Sequence, residues 1–322
     1  MPSLQSLPTE LLYLILAELD NHRGTLLALQ LVSRSVRAAS ESLLYRTISF
    51  PRWNESRLKQ LVDTLYWSGE RLCHHIDGFR ISAREVKIST ETGARICEVL
   101  KRCVNLSSLS LDFFRKKGNK GSSPFFALLD SAPFSLSTLS WTGLIPKEAR
   151  LFIDFLASQS SLRYLDLTLP PSQELSCIPL SALPCLQLVR TGEAIDNIAA
   201  IFADRPNITH LHLRRVPNSM FSQLAQESVS NIRTLTVDVD DWPLFKLATY
   251  MPHLQCLHLN GRIRSTSALL HAWNLWTLQQ PEVSMIAGIA TGARKRYQNH
   301  AQPLLILAFG TEGPDTWGAG LC

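Results

Sequence analysis

At 322 residues with 45% hydrophobic content, the chain is long and apolar enough to bury a large core, which excludes an intrinsically disordered protein. Its net charge of +5 is spread along the chain among interleaved acidic residues, unlike the concentrated basic stripe of a nucleic-acid binder. No apolar run approaches the roughly 18 residues that crossing a bilayer takes, so neither nucleic acid nor membrane is an expected partner.

Residues 4–46 read as three short helices. Thr9 is placed to cap the first, whose opening turn carries Glu10. Leu11, Ile15 and Leu19 make one i, i+4 stripe, while Leu12, Leu14 and Leu16 cover much of the remaining circumference, more apolar surface than one buried face uses. After a polar turn at Asn21 to Gly24, Leu26, Leu27, Leu29, Leu31 and Val32 start a second helix that continues through Ser33, Arg34, Ser35 and Arg37. A third holds Leu43, Leu44 and Tyr45. A head this small buries too little surface to offset its chain entropy, so a second surface is expected to cover it.

Tyr45 to Phe50 alternates and ends at Pro51, which predicts a first strand, followed by a helix from about Arg57 to Trp67. A pattern then recurs: an apolar residue, a second three positions on, a third two positions later. Its instances are Ile76-Phe79-Ile81, Leu106-Leu109-Leu111, Leu136-Leu139-Trp141, Leu162-Leu165-Leu167, Leu186-Val189-Thr191, Ile208-Leu211-Leu213, Ile232-Leu235-Val237 and Leu254-Leu257-Leu259. Weaker copies continue at Leu275-Leu278 and Leu304-Leu307-Phe309. Helical stretches separate them at Glu91–Leu100, Lys147–Leu156, Ala194–Phe202, Ser219–Ala225 and Leu244–Tyr250. Self-similarity at a period of about 20–30 residues predicts a solenoid, each unit too small to hide its apolar side without its neighbours. Residues 115–124 (RKKGNKGSSP) read as a basic, solvated loop inserted in one repeat, and the Gly-rich tail 311–322 as a fraying end.

The layout Leu7-Pro8, Glu10, Leu11, Ile15, Leu19, then Leu29, Val32-Ser33-Arg34, then Leu44-Tyr45-Arg46 resembles the F-box, with Ser33 and Val36 where that family usually has a Cys and a Trp. The remainder of the chain is similar to the irregular leucine-rich repeats of fungal F-box proteins, and the two together span about residues 4 to 310. The resemblance implies an α/β fold: a three-helix F-box-like module (1–46), a leucine-rich-repeat solenoid with a parallel sheet (47–310) and a flexible tail (311–322). It also implies a substrate-receptor subunit of an SCF-type cullin-RING ubiquitin ligase. The head would dock on a Skp-family adaptor, and through it a cullin, using Leu7, Pro8, Leu11, Ile15, Leu19, Leu29, Val32 and Arg34, while the repeats bind a protein target. A non-catalytic interaction scaffold that delivers nothing for ubiquitination is the alternative. The Asn that bonds the turn after each strand in the repeat family is absent, its places holding Arg115, Leu144, Arg215 or Val216, so a regular horseshoe is not implied.

Side chains between the buried positions of each strand point to the side where such repeats bind, and here they are polar and varied. Tyr164, Arg190, His210, His212, Arg214 and His258 are the candidate target contacts, since aromatic and Arg side chains dominate interface energetics and histidines supply hydrogen bonds and pH sensitivity. A metal site joining His210 and His212 to Cys256 and His258 is disfavoured, because two strand spacings put the groups about 10 Å apart at the start. No catalytic template fits: Gly288 to Lys295 (GIATGARK) lacks the phosphate-loop spacing, and Cys73 beside His74 and His75 would sit on opposite strand faces. No catalytic residue, metal or cofactor is expected. Seven cysteines without a C-x-x-C pair, and no basic-then-apolar leader before Leu7, suggest a cytoplasmic or nuclear protein.

Overall fold

The computed structural model describes residues 7–19, 22–50, 55–83, 89–113, 132–142, 149–168, 179, 181–191, 207–213, 231–238, 253–260, 284–290 and 304–310. They belong to two compact units, Met1–Leu162 and Arg163–Cys322.

The first unit opens with α1 (Thr9–Ala17), α2 (Arg23–Leu29) and α3 (Arg34–Arg46). Both α1 and α2 pack on α3, closing a small core of Leu12, Leu16, Leu26, Val36, Ala39 and Leu43, against which Leu7, Ala17, Leu19, Leu29 and Leu44 are partly buried. The head differs from expectation in two ways. Pro8, not Thr9, stands at the N-cap of α1; it has no N–H to leave unpaired, and its carbonyl accepts the Leu12 amide at 3.0 Å. The second helix stops at Leu29 instead of running through the Ser/Arg stretch, because Ser33 Oγ accepts the Val36 N–H at 3.2 Å and so starts α3. The stripe of α1 that enters the core is Leu12–Leu16, one position and thus about 100° around the helix from Leu11–Ile15. Replacing Ser33 by alanine is expected to cost about 1 kcal/mol of stability, read as a lower urea midpoint at unchanged m-value.

A buried carboxylate ties this head to the first repeat. Glu41 of α3 accepts hydrogen bonds from Arg37 one turn away, at 3.0 Å, and from Arg71 of α5 (Glu70–Cys73). Burial alone would push the carboxyl up, but the bonds from Arg37 and Arg71, with their charges, hold it below the usual glutamate value. A lowered folded-state value means that the stabilisation is complete above the unfolded value near 4.5 and fades as pH falls below it. Glu41→Gln should therefore cost about 2 kcal/mol at neutral pH, and the variant's stability should fall less steeply with acid than the wild type's in urea titrations across that range.

Beyond the head, β1 (Thr47–Phe50), β2 (Gly78–Ala83), β3 (Ser108–Phe113) and β4 (Thr138–Thr142) pair side by side in parallel. They alternate with α4 (Glu55–Trp67), α5, α6 (Thr90–Leu100) and α7 (Ala149–Ser158). The register sets Ile48, Phe79, Leu109 and Leu139 level across the sheet. On α7, Phe152 meets Trp141 of β4, ring centroids 5.2 Å apart.

The second unit repeats the scheme with β5 (Tyr164–Thr168), β6 (Leu188–Thr191), β7 (His210–Leu213), β8 (Thr234–Asp238) and β9 (Cys256–Asn260), all parallel, with Leu165, Val189, Leu211, Leu235 and Leu257 level. Every position of the eight apolar triplets whose burial is described is buried, so the triplet period is the stacking period. β10 (Ser284–Ala290) and β11 (Leu304–Gly310) depart from it: β11 lies beside β9 but runs antiparallel, and pairs antiparallel with β10. The Leu304-Leu307-Phe309 copy is thus a strand but not a further parallel repeat. A nearly continuous apolar run suits either direction, so the pattern alone did not decide between them. The copy at Leu275-Leu278, the helices expected at Ala194–Phe202, Ser219–Ala225 and Leu244–Tyr250, the loop 115–124 and the tail lie outside the described residues.

Successive repeats are joined by a recurring backbone device. The carbonyl of the residue just before a strand accepts two amides from the following repeat, as Asp77 O does from Ser107 and Ser108, Ser107 O from Ser137 and Thr138, and Gln187 O from Thr209 and His210. An asparagine ahead of the triplet adds to it: Asn105 Nδ2 donates to His74 O and Asn207 Nδ2 to Pro184 O, each at 2.8 Å and each to the same place in the preceding repeat. Two repeats therefore have an Asn bond ahead of the strand.

Candidate functional site

Two surfaces hold the residues that the sequence pointed to. In the first unit, α1 and α2 turn one set of apolar side chains inward and a second set outward. Ten large hydrophobic residues are exposed among the described ones, and Leu11, Tyr13, Leu14, Ile15, Leu27, Leu31 and Val32 of the head make up seven of them. Leu31 is 89% exposed and Leu14 62%, values at which the side chain contributes almost nothing to the fold of this chain. Scattered exposed leucines need no explanation, but this concentration between residues 11 and 32 does.

The eight expected adaptor contacts separate accordingly. Pro8, Leu11, Ile15, Val32 and Arg34 are exposed; Leu7, Leu19 and Leu29 pack against the small head core and serve the fold. Tyr13, Leu14, Leu27 and Leu31 are exposed as well, although no outward role was expected of them. Their signal was present as the i, i+3, i+4 set Leu11-Leu14-Ile15 and the i, i+4 pair Leu27-Leu31, once Leu12 and Leu16 are recognised as the inward stripe.

In the second unit, the polar positions of the strands fall into two level rows. One runs Tyr164, Leu188, His210, Thr234, Cys256 and the next Asp166, Arg190, His212, Thr236, His258. Arg190 reaches Asp166, Nε to Oδ2, at 3.8 Å, a charge contact too long for a hydrogen bond, and that Nε is shielded from solvent and donates to no acceptor. His210 Nδ1 lies 2.8 Å from Thr209 Oγ1, and His258 Nε2 lies 3.0 Å from Cys256 Sγ. Burial lowers the pKa of His210 below its ordinary value; burial, then the charges of His212 and His210, do the same to His258. Tyr164, Arg190, His210, His212 and His258 thus share one sheet face, and Arg214 lies outside the described residues.

Thr236 stands between His212 and His258, two strand spacings apart, and among the described residues no three His, Cys, Asp or Glu side chains are placed to hold a metal ion. Cys73 ends a helix instead of lying on a strand and is completely buried; a hydrogen bond with Cys103 holds its thiol below the ordinary value, although burial opposes this. Burial also pushes the Cys97 thiol up to about 12, far from a reactive thiolate at neutral pH. Among the described residues no helix is long and apolar enough to cross a membrane.

Thr191 completes its triplet where other repeats place Leu, Ile, Val or Trp; it is fully buried and its hydroxyl has no hydrogen-bond partner. Thr191→Val removes that penalty at equal volume and should raise stability by about 1 kcal/mol, seen as a higher thermal midpoint.

No family model matches the chain, and no curated protein matches it in sequence. The class of protein defined by these features is an α/β protein with open, parallel sheets, whose leading helices present apolar side chains outward.

Proposed function

We propose that this protein is the substrate-receptor subunit of an SCF-type cullin-RING ubiquitin ligase of the cytoplasm or nucleus, its first three helices an F-box docked on a Skp-family adaptor and its strand repeats holding a protein target. The observation that carries the reading is the outward apolar set on α1 and α2, left over after the head has closed its own small core. A second subunit is the natural cover for such a surface. Leu11, Leu14, Ile15, Leu31 and Val32 supply the apolar contacts, with Pro8 and Arg34 at their margin. Such a subunit makes and breaks no bonds. Tethering raises the effective concentration of target lysines near a ubiquitin-charged enzyme.

The test is affinity purification of the full chain from cells, wild type beside Leu31→Asp/Val32→Asp, both residues being exposed and outside the core. The reading requires adaptor and cullin with the wild type and neither with the variant. Equal adaptor recovery from both rejects the docking surface; adaptor without cullin favours a scaffold that delivers no target.

A further inference from the structure

We propose that the sheet face of the second unit binds its target through an acidic peptide segment, whose carboxylates settle against Arg190, His210, His212 and His258, and that capture strengthens as the surroundings become more acidic. The proposal deepens the receptor reading, on which it rests, by giving its target site a chemistry.

Charge on this face depends on protonation. The ionised residues at the outward parity of β5 to β9 are Asp166, Arg190 and Asp238, one negative charge in excess. Among the described residues, the groups around the histidines add no other fixed charge. From β6 they are Leu188 and Arg190, the latter already offset by Asp166 at 3.8 Å; from β8, Thr234, Thr236 and Asp238; from β9 itself, Cys256; and β11, next to β9, has no titratable residue. Protonating His210, His212 and His258 turns the excess into two positive charges. Neutral histidines on a slightly negative face give a carboxylate little to hold; protonated ones give it two or three cations within a few strand spacings of Arg190.

The free protein resists that protonation. Partial burial opposes charging His210 and His258, and the charges of His212 and His210 further oppose that of His258. A carboxylate between them reverses the second effect, so the bound state takes up protons that the free state lacks. Affinity is therefore low and flat well above the ordinary histidine value of 6.5, and rises as pH falls through and below it. The rings are set for this. The 2.8 Å contact of His210 with Thr209 and the 3.0 Å contact of His258 with Cys256 hold two of the three in place before a ligand arrives.

The experiment uses the full chain and a fluorescent tetraglutamate peptide, with tetraglutamine as the uncharged control. Anisotropy should show binding at least about tenfold tighter at about pH 6 than at about pH 7.5. Tetraglutamine should bind weakly at both, and calorimetry in two buffers of different ionisation heat should show net proton uptake by the wild type. His212→Asn/His258→Asn should lose the pH dependence. Equal affinity at the two pH values, equal binding of tetraglutamine, or binding without proton uptake would each overturn the proposal, and the last needs no variant. Adaptor capture by the same preparations is a separate readout. Capture without glutamate binding sinks the acidic-segment proposal alone; glutamate binding without capture sinks the ligase reading and leaves an acid-dependent peptide site without its receptor role.

Discussion

Leu14→Asp/Ile15→Asp in the full chain is expected to weaken adaptor binding at least about 100-fold while leaving the thermal midpoint unchanged or slightly raised. Both side chains are exposed on α1 and belong to neither the head core nor the contact of α1 with α3, so the fold of the free chain loses nothing with them. In the complex, the variant forfeits about 1 kcal/mol of apolar burial at each half-exposed position and adds the larger cost of placing two carboxylates under the adaptor. A surface-plasmon titration beside a thermal melt separates the two effects. Weak binding with a lowered midpoint would mean that these residues support the fold.

Phe79→Ala should produce the largest loss of stability, about 4 kcal/mol in the urea transition of the first unit. Phe79 is the second residue of β2, almost wholly buried, level with Ile48 on one side and Leu109 on the other. The parallel neighbours are held by their own backbone ladders, so the space left by the ring is poorly refilled and the cavity cost adds to the lost transfer energy. Trp67→Ala is the control: this tryptophan is 78% exposed, and its loss should shift stability by no more than about 0.5 kcal/mol. Comparable effects of the two substitutions would contradict the stacking assigned to the triplets.

The triplet period made the strands legible in the sequence, because burial on one face of a short strand leaves a rigid spacing and each parallel neighbour repeats it at the same height. Direction was less legible. Leu304 to Phe309 satisfies the spacing and still runs antiparallel, since an apolar run without alternating polar residues specifies no orientation. In the head, helix existence was clear, whereas the boundary at Ser33 turned on one hydroxyl bonding one amide. The outward apolar face of the head was half legible for a related reason. Leu11, Leu12, Leu14, Ile15 and Leu16 surround the helix, and only the contact of α1 with α3 selects Leu12 and Leu16 for the inside. The binding face was readable as strand parity, but the Asp166–Arg190 pair and the Cys256–His258 contact depend on register between strands and on rotamers, which no local pattern carries.

Amide hydrogen exchange of the full chain with and without the Skp-family adaptor decides whether another subunit covers the outward leucines of the head. Slower exchange confined to Thr9–Ala17 and Arg23–Val32, with the amides of β5 to β9 unchanged, is the predicted result. Unchanged exchange throughout the head, or protection appearing only on the strands, would contradict it.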